Sequence, residues 1–140
     1  MNIKRIAIIV VLVIAAALGA RYFLFSSKEM ASVPGQALAQ VAVPELSGVA
    51  KAGEGLFNNY CASCHGANAS GQEGKAPPLV HVIYEPNHHG DESFQLAAQN
   101  GARAHHWPFG NMPPIEGITK DEVTKIVAYV RALQRENGIF

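Results

Sequence analysis

Cys61-Ala62-Ser63-Cys64-His65-Gly66 is the stretch on which the reading of this 140-residue chain turns, and its two cysteines are the only ones present. Two cysteines so close in sequence cannot staple distant elements, so a disulfide framework is excluded. No second cysteine pair completes a four-thiolate site, so zinc would have to recruit histidines. A thioredoxin-like dithiol should follow a strand and open a helix, whereas this pair ends a helical pattern and runs into Gly66. The directly following His65 gives the remaining reading. The thiols of Cys61 and Cys64 then add across the two vinyl groups of a haem, and the two intervening residues match the vinyl spacing on one turn of helix. The imidazole of His65 lies under the iron as its proximal ligand.

Working outward, three helices can be placed. The first begins after Ser47 as N-cap and carries Leu56, Phe57 and Tyr60 on its apolar side up to Cys61. A second starts at Asp91 as N-cap, continues through Phe94, Leu96 and Ala97, and stops at Gly101. In the third, Thr119 and Glu122 form a capping box, after which Val123, Ile126, Val127, Val130 and Leu133 repeat at helical spacing. Lys125, Arg131 and Arg135 are expected to face water there, with Gly138 beyond the end. No segment alternates β-branched residues convincingly, so the expected fold is all-α. The stretches Gly66 to Leu79 and His105 to Gly117 are long for so small a domain and suit loops that wrap a prosthetic group. A haem with two thioether bonds is the staple that the 94 residues from Ser47 to Phe140 need.

A sixth iron ligand must come from elsewhere. Met1 starts the chain and Met30 precedes the domain, leaving Met112, 47 residues after His65 in Phe109-Gly110-Asn111-Met112-Pro113-Pro114. Prolines fix φ and cannot continue a helix, so they hold this methionine in an extended loop. His105 and His106 are rival axial ligands a few residues earlier. With His88 and His89 they form two vicinal pairs, a pattern that also admits copper or zinc. A polar loop surface, with hydrogen bonds to haem propionates, is the plainer and preferred reading of those histidines. Trp107 has one indole N–H, for which donation to a propionate and burial without that bond are equal alternatives.

The first 25 residues read as a membrane segment. Lys4 and Arg5 precede an apolar run from Ile6 to Ala20, and Tyr22, Phe23 and Phe25 suit an interfacial aromatic belt around Arg21. Crossing ~30 Å of hydrocarbon takes about 20 apolar residues, which Ile6 to Phe25 supply if Arg21 snorkels. A cleaved secretory signal is the alternative, but Leu18-Gly19-Ala20 places leucine where a small residue is preferred. Either way Lys4 and Arg5 stay on the cytoplasmic side and the remainder is exported. Residues 26–46, rich in Ala, Ser, Val and Gln, read as a flexible linker, with a few frayed helical turns over Gln36 to Val43 as the alternative.

Apolar residues make up 49% of the sequence and formal net charge is zero, which gives no sign of a nucleic-acid partner. The domain from Ser47 carries seven Lys or Arg against nine Asp or Glu, so long-range steering toward a partner should be modest and salt-sensitive.

The combination resembles the class I, single-haem bacterial cytochromes c, here of a membrane-anchored type. The resemblance rests on Gly53 through Phe57 to the Cys-x-x-Cys-His-Gly run, on Pro77-Pro78-Leu79, on Met112-Pro113-Pro114, and on the last helix with Tyr129. It implies a fold of three to five helices with long loops around one covalent haem c, preceded by a transmembrane helix. It also implies that Gly53 packs against Tyr129. A proline carbonyl, of Pro77 or alternatively Pro78, then accepts the proximal imidazole N–H. His65 and Met112 together leave no open coordination site, so the expected function is one-electron transfer between redox proteins, membrane complexes in particular, and not enzymatic catalysis. Two other functions fit the same residues: a haem subunit of a larger oxidase or dehydrogenase, or a sensor or enzyme with a labile sixth ligand. The expected location is the bacterial cytoplasmic membrane, single-pass with the haem domain on the periplasmic face, or the soluble periplasm if the signal is cleaved.

Overall fold

The computed structural model describes residues 2, 12–15, 18 and 35–140. The chain divides into a short unit, Met1–Ser32, and a larger one, Val33–Phe140. The membrane segment expected over residues 1–25 falls mostly outside the described residues, and among those no helix is long and apolar enough to cross a membrane.

In the larger unit four helices follow one another: α1 (Gly48–Tyr60), the single turn α2 (Ala62–His65), α3 (Asp91–Asn100) and α4 (Lys120–Glu136). Two 3₁₀ turns, Ala67–Ala69 and Val82–Tyr84, interrupt the loop between α2 and α3. Strand pairing among the described residues is confined to two isolated bridges, Gln72 with Ala76 and Ala102 with Met112. The chain is all-α over this unit, as the periodicity of its apolar residues requires.

The N-terminus of α4 forms as its residues dictate. Thr119 Oγ1 accepts the Glu122 N–H at 3.3 Å, and the Glu122 carboxylate accepts the Thr119 N–H at 2.8 Å. Asp91 is the first residue of α3, with Gly90 in the cap position, so the expected N-cap is displaced by one. Its carboxylate still lies at the positive end of the helix.

The core forms where α1 crosses α4. Phe57, Tyr129, Val130 and Leu133 are fully buried, with Val80 and Ile126 beside them. The Phe57 and Tyr129 rings lie 5.4 Å apart between centroids, tilted by 56°. Gly53 makes this crossing possible. A Cβ at that position would stand 1.9 Å from the Lys125 carbonyl oxygen and 3.0 Å from Tyr129 Cβ, so the two backbones are in direct contact. The Tyr129 hydroxyl then donates to Asn68 Oδ1 at 3.2 Å, tying the crossing to the loop after α2. Burial, and secondarily the charge of Glu54, pushes its pKa up to about 12.

Two expectations need correction. Arg131 does not face water: it is 7% exposed and reaches back from α4 into the loop before α3. Nor is the second half of the expected linker free. Gly35 N–H donates to the Glu73 carbonyl, Glu73 N–H to that of Gln36, and the N–H groups of Leu38 and Ala39 to that of Ser70. Asn137 exchanges two hydrogen bonds with the backbone of Ala42, at 3.0 and 2.8 Å. Val41 and Leu46 pack on the core. Residues 35–46 are a strap, because an extended segment can satisfy its backbone on loops that have unpaired carbonyls.

Gly53→Ala should lower the stability of the haem-loaded protein by about 3 kcal/mol, since an added methyl meets rigid backbone. Gly55→Ala, on the open face of α1 with nothing near its Cβ position, should leave it unchanged or raise it by up to ~1 kcal/mol. Guanidinium midpoints of the two variants check this.

Candidate functional site

The site is built on the turn that follows α1. Cys61 ends α1, its N–H bonded to the Phe57 carbonyl at 2.8 Å, and the chain turns once more through α2. This puts Cys61, half-buried, and Cys64, exposed, on the same short helical piece, with His65 as its last residue. The carbonyls of that turn are held from outside. Gln72 Nε2 donates to those of Ala62 and Ser63 at 3.1 and 3.3 Å, and Lys75 Nζ also donates to Ser63.

The chain next folds back beneath His65. Gly71 N–H donates to the His65 carbonyl at 2.7 Å, and Gly71 has φ +74. A Cβ there would stand 2.5 Å from Pro78 N, so only glycine lets the proline pair approach. As a result the Pro77 carbonyl, not that of Pro78, lies 2.9 Å from His65 Nδ1. A carbonyl can only accept, so the proton is on Nδ1 and the Nε2 lone pair is free. Burial lowers the His65 pKa, partly opposed by the Pro77 bond, and the ring is therefore kept in the neutral form that ligates metals.

These features fit a covalently bound haem. Burial, and then the neighbouring Cys64, pushes the Cys61 thiol up to about 11, so the pocket disfavours a thiolate and accepts an uncharged thioether. Trp107 supplies a second sign. Its indole Nε1 is buried and has no hydrogen-bond partner among the described residues. The indole lies near the Tyr84 phenol, which burial pushes up and Trp107 pulls back, but no hydrogen-bond geometry joins them. A buried donor without an acceptor costs about 1–3 kcal/mol, so it marks a place where a bound group provides one. The ring is held edge-on to His81 at 5.2 Å and stacked on Phe109 at 5.9 Å.

Met112 is half-buried. Its loop is pinned to the end of α3 by a reciprocal pair of backbone hydrogen bonds with Ala102, both 2.9 Å. Asn111 Oδ1 accepts the Ala104 N–H at 2.9 Å, closing the loop between them. The structure thus joins Cys61, Cys64, His65 and Pro77 in one unit. It sets Trp107 and Met112 on a second, separately braced loop.

Sequence reasoning missed the device that holds the loop between them. Arg131 Nη1 donates to the Tyr84 carbonyl at 2.7 Å and Nη2 to the His89 carbonyl at 2.6 Å, while Nε pairs with Asp91 at 2.9 Å. Gln134, 1% exposed, accepts from Arg131 and donates to the carbonyls of Leu79 and Tyr84 at 2.8 and 3.0 Å. The signal was available. Arg131 and Gln134 stand four and seven residues after Val127, on the stripe that buries Val123 and Val127.

Once this geometry is in view, the class is a helical domain that attaches haem through a Cys-x-x-Cys-His turn. The family model for cytochrome c matches residues 50–134, more than half of the chain, and the chain belongs to the cytochrome c family. Its cofactor is covalently attached haem c, and its work is haem-based electron transfer. Comparison with curated proteins and with solved structures gives no match.

Arg131→Ala should cost the haem-loaded protein about 3 kcal/mol, because it leaves the His89 carbonyl without its donor, the Tyr84 carbonyl with Gln134 alone, and a hole in the core where the guanidinium stood. Arg135→Ala, exposed at the end of the same helix, should change stability by no more than about 0.5 kcal/mol. Denaturant unfolding of both variants checks the difference.

Proposed function

We propose that this chain is a one-electron carrier of the class I type, with a single haem iron held by His65 and Met112, working at the outer face of a bacterial cytoplasmic membrane. The observation that carries the His65 half is its hydrogen bond to Pro77, which fixes the tautomer, aims Nε2 away from the proline loop and raises the basicity of the ring. Met112 is supported by its bracing. A methionine used only as filler gains nothing from two backbone bonds and flanking prolines, whereas a thioether ligand must be presented at a fixed distance.

The haem supplies the ferrous–ferric couple. The residues of this chain determine how that couple is used. With both His65 and Met112 given to the iron, no coordination position would remain for a substrate, which favours electron exchange over small-molecule activation. A thioether also favours the reduced state relative to a second imidazole. The unpaired Trp107 indole N–H is suited to a propionate oxygen, holding a negative group at the edge of the site. Because both loops are braced by backbone hydrogen bonds, His65 and Met112 would hold their positions when the iron changed charge, and small reorganisation favours fast transfer.

The location rests on the sequence. Lys4 and Arg5 before Ile6 to Ala20 favour retention of the N-terminus in the cytoplasm and export of the haem domain. A membrane-held carrier gains effective concentration toward donor and acceptor complexes in the same bilayer. The strap over residues 35–46 takes the second half of the expected linker out of the tether.

Ferric protein is expected to show the near-infrared charge-transfer band of methionine-ligated iron. Met112→His should abolish it and lower the potential by on the order of 0.2 V, a fraction of the roughly 0.8 V that axial ligands span. A parent protein without the band would overturn the ligation proposed. Deleting residues 2–25 in favour of a cleavable export signal should move the haem protein from the membrane to the soluble periplasmic fraction with its spectrum unchanged. Recovery of the full-length gene product as a soluble chain lacking those residues would instead show that the segment is a processed signal.

A further inference from the structure

The two vicinal histidine pairs, separated by fifteen residues, meet in space. His88 stacks edge-on to His106 at 5.1 Å, His89 to His106 at 5.4 Å, and His105 lies 4.3 Å from His106. His88 and His89 are themselves 4.6 Å apart between centroids. One ligand nitrogen each of His88, His89 and His106 lies within 4.8 Å of the others. On a surface where polar side chains can disperse into water, four imidazoles are instead gathered at one point.

The gathering is built by the fold. Arg131, buried on α4, holds the His89 carbonyl from behind at 2.6 Å and the Tyr84 carbonyl at 2.7 Å. The other pair hangs from the loop closed by the Ala102–Met112 bridge and by Asn111. Two of the four tautomers are also set. His89 Nδ1 donates to the Ile83 carbonyl at 2.6 Å and His105 Nδ1 to that of Arg103 at 2.7 Å, which in each leaves Nε2 as a lone-pair donor. A backbone carbonyl on one ring nitrogen with the other free is how metal-ligating histidines are oriented.

From this convergence we propose that His88, His89 and His106 form a second metal site, distinct from the haem, for one divalent transition ion that prefers imidazole, Zn²⁺ or Cu²⁺. Three imidazoles with a fourth position for water or for His105 suit either ion. Nitrogens that share a tetrahedral ion at about 2.0–2.1 Å lie about 3.3 Å from each other, so the present spacing must close by about 1.5 Å. His88 and His106 are exposed and can close it by side-chain rotation, while His89 stays on its carbonyl. The haem has its covalent attachment in Cys61 and Cys64 and its proposed proximal ligand in His65, and this site uses none of them.

The test uses the untagged, haem-loaded ferric protein. Calorimetric titration with Zn²⁺ should show one ion per chain with micromolar or tighter affinity. His88→Gln and His106→Gln should each weaken it at least about ten-fold. Both side chains are exposed, so the Soret band and thermal midpoint of the metal-free variants should match the parent. Cu²⁺ should displace Zn²⁺ from the parent, as the order of divalent affinities requires. Absence of saturable 1:1 Zn²⁺ binding up to about 100 µM overturns the proposal. So does binding that both glutamine variants retain at parental affinity, or Cu²⁺ uptake that leaves Zn²⁺ in place.

Discussion

Where α1 crosses α4, the Lys125 carbonyl occupies the space that any side chain at position 53 would need. Helices this close can be joined only where one of them lacks a Cβ, and the gain is a contact in which Phe57 and Tyr129 are wholly buried. The rest of the domain is referred to that contact. α1 delivers the cysteine turn from one side of it. α4 sends Tyr129 to Asn68 behind the turn and, two residues further on, Arg131 into the loop that leads to α3.

The loops around the site are ordered by polar groups as well as by the few apolar side chains, Ala69 and Val80 among them, that they send into the core. The Pro77 carbonyl under His65, Gln72 on the carbonyls of the cysteine turn, and Gln134 with Arg131 beneath residues 79–89 each satisfy backbone that would otherwise be buried without partners. A buried arginine is tolerated because its planar fork serves two carbonyls and a glutamine while also meeting Asp91, and its guanidinium lies 5.0 Å over the Phe94 ring. Such an arrangement suits an electron-transfer site, where ligand positions must survive a change of charge at the iron.

The same bracing that steadies the haem side also fixes the outer rim. The loop that carries Met112 passes through His105 and His106, and the loop that Arg131 grips ends in His88 and His89. An ion held by both loops would therefore join the two segments that border the site, one of them closed by the Ala102–Met112 bridge. Trp107, placed directly after His106, lies edge-on to His81.

Local chemistry was legible from residues alone. The Cys-x-x-Cys-His turn, the capping box at Thr119 and the apolar period of α4 all depend on neighbours within a few positions, so spacing states them directly. The N-cap at Asp91 was displaced by one residue, since Gly90 and Asp91 both tolerate the position and only the backbone path chooses. What the tertiary structure alone decided depends on approach between distant segments. Arg131 looks like a solvated helix residue until a loop with unpaired carbonyls is laid against it, and residues 35–46 look like a linker until the carbonyls of Ser70 and Glu73 stand beside them. Two histidine pairs fifteen residues apart say nothing about each other in sequence, and they meet because separate hydrogen bonds hold each loop in place. Composition and period report which groups a segment must bury or cap, whereas the partner that satisfies them is set by three-dimensional proximity.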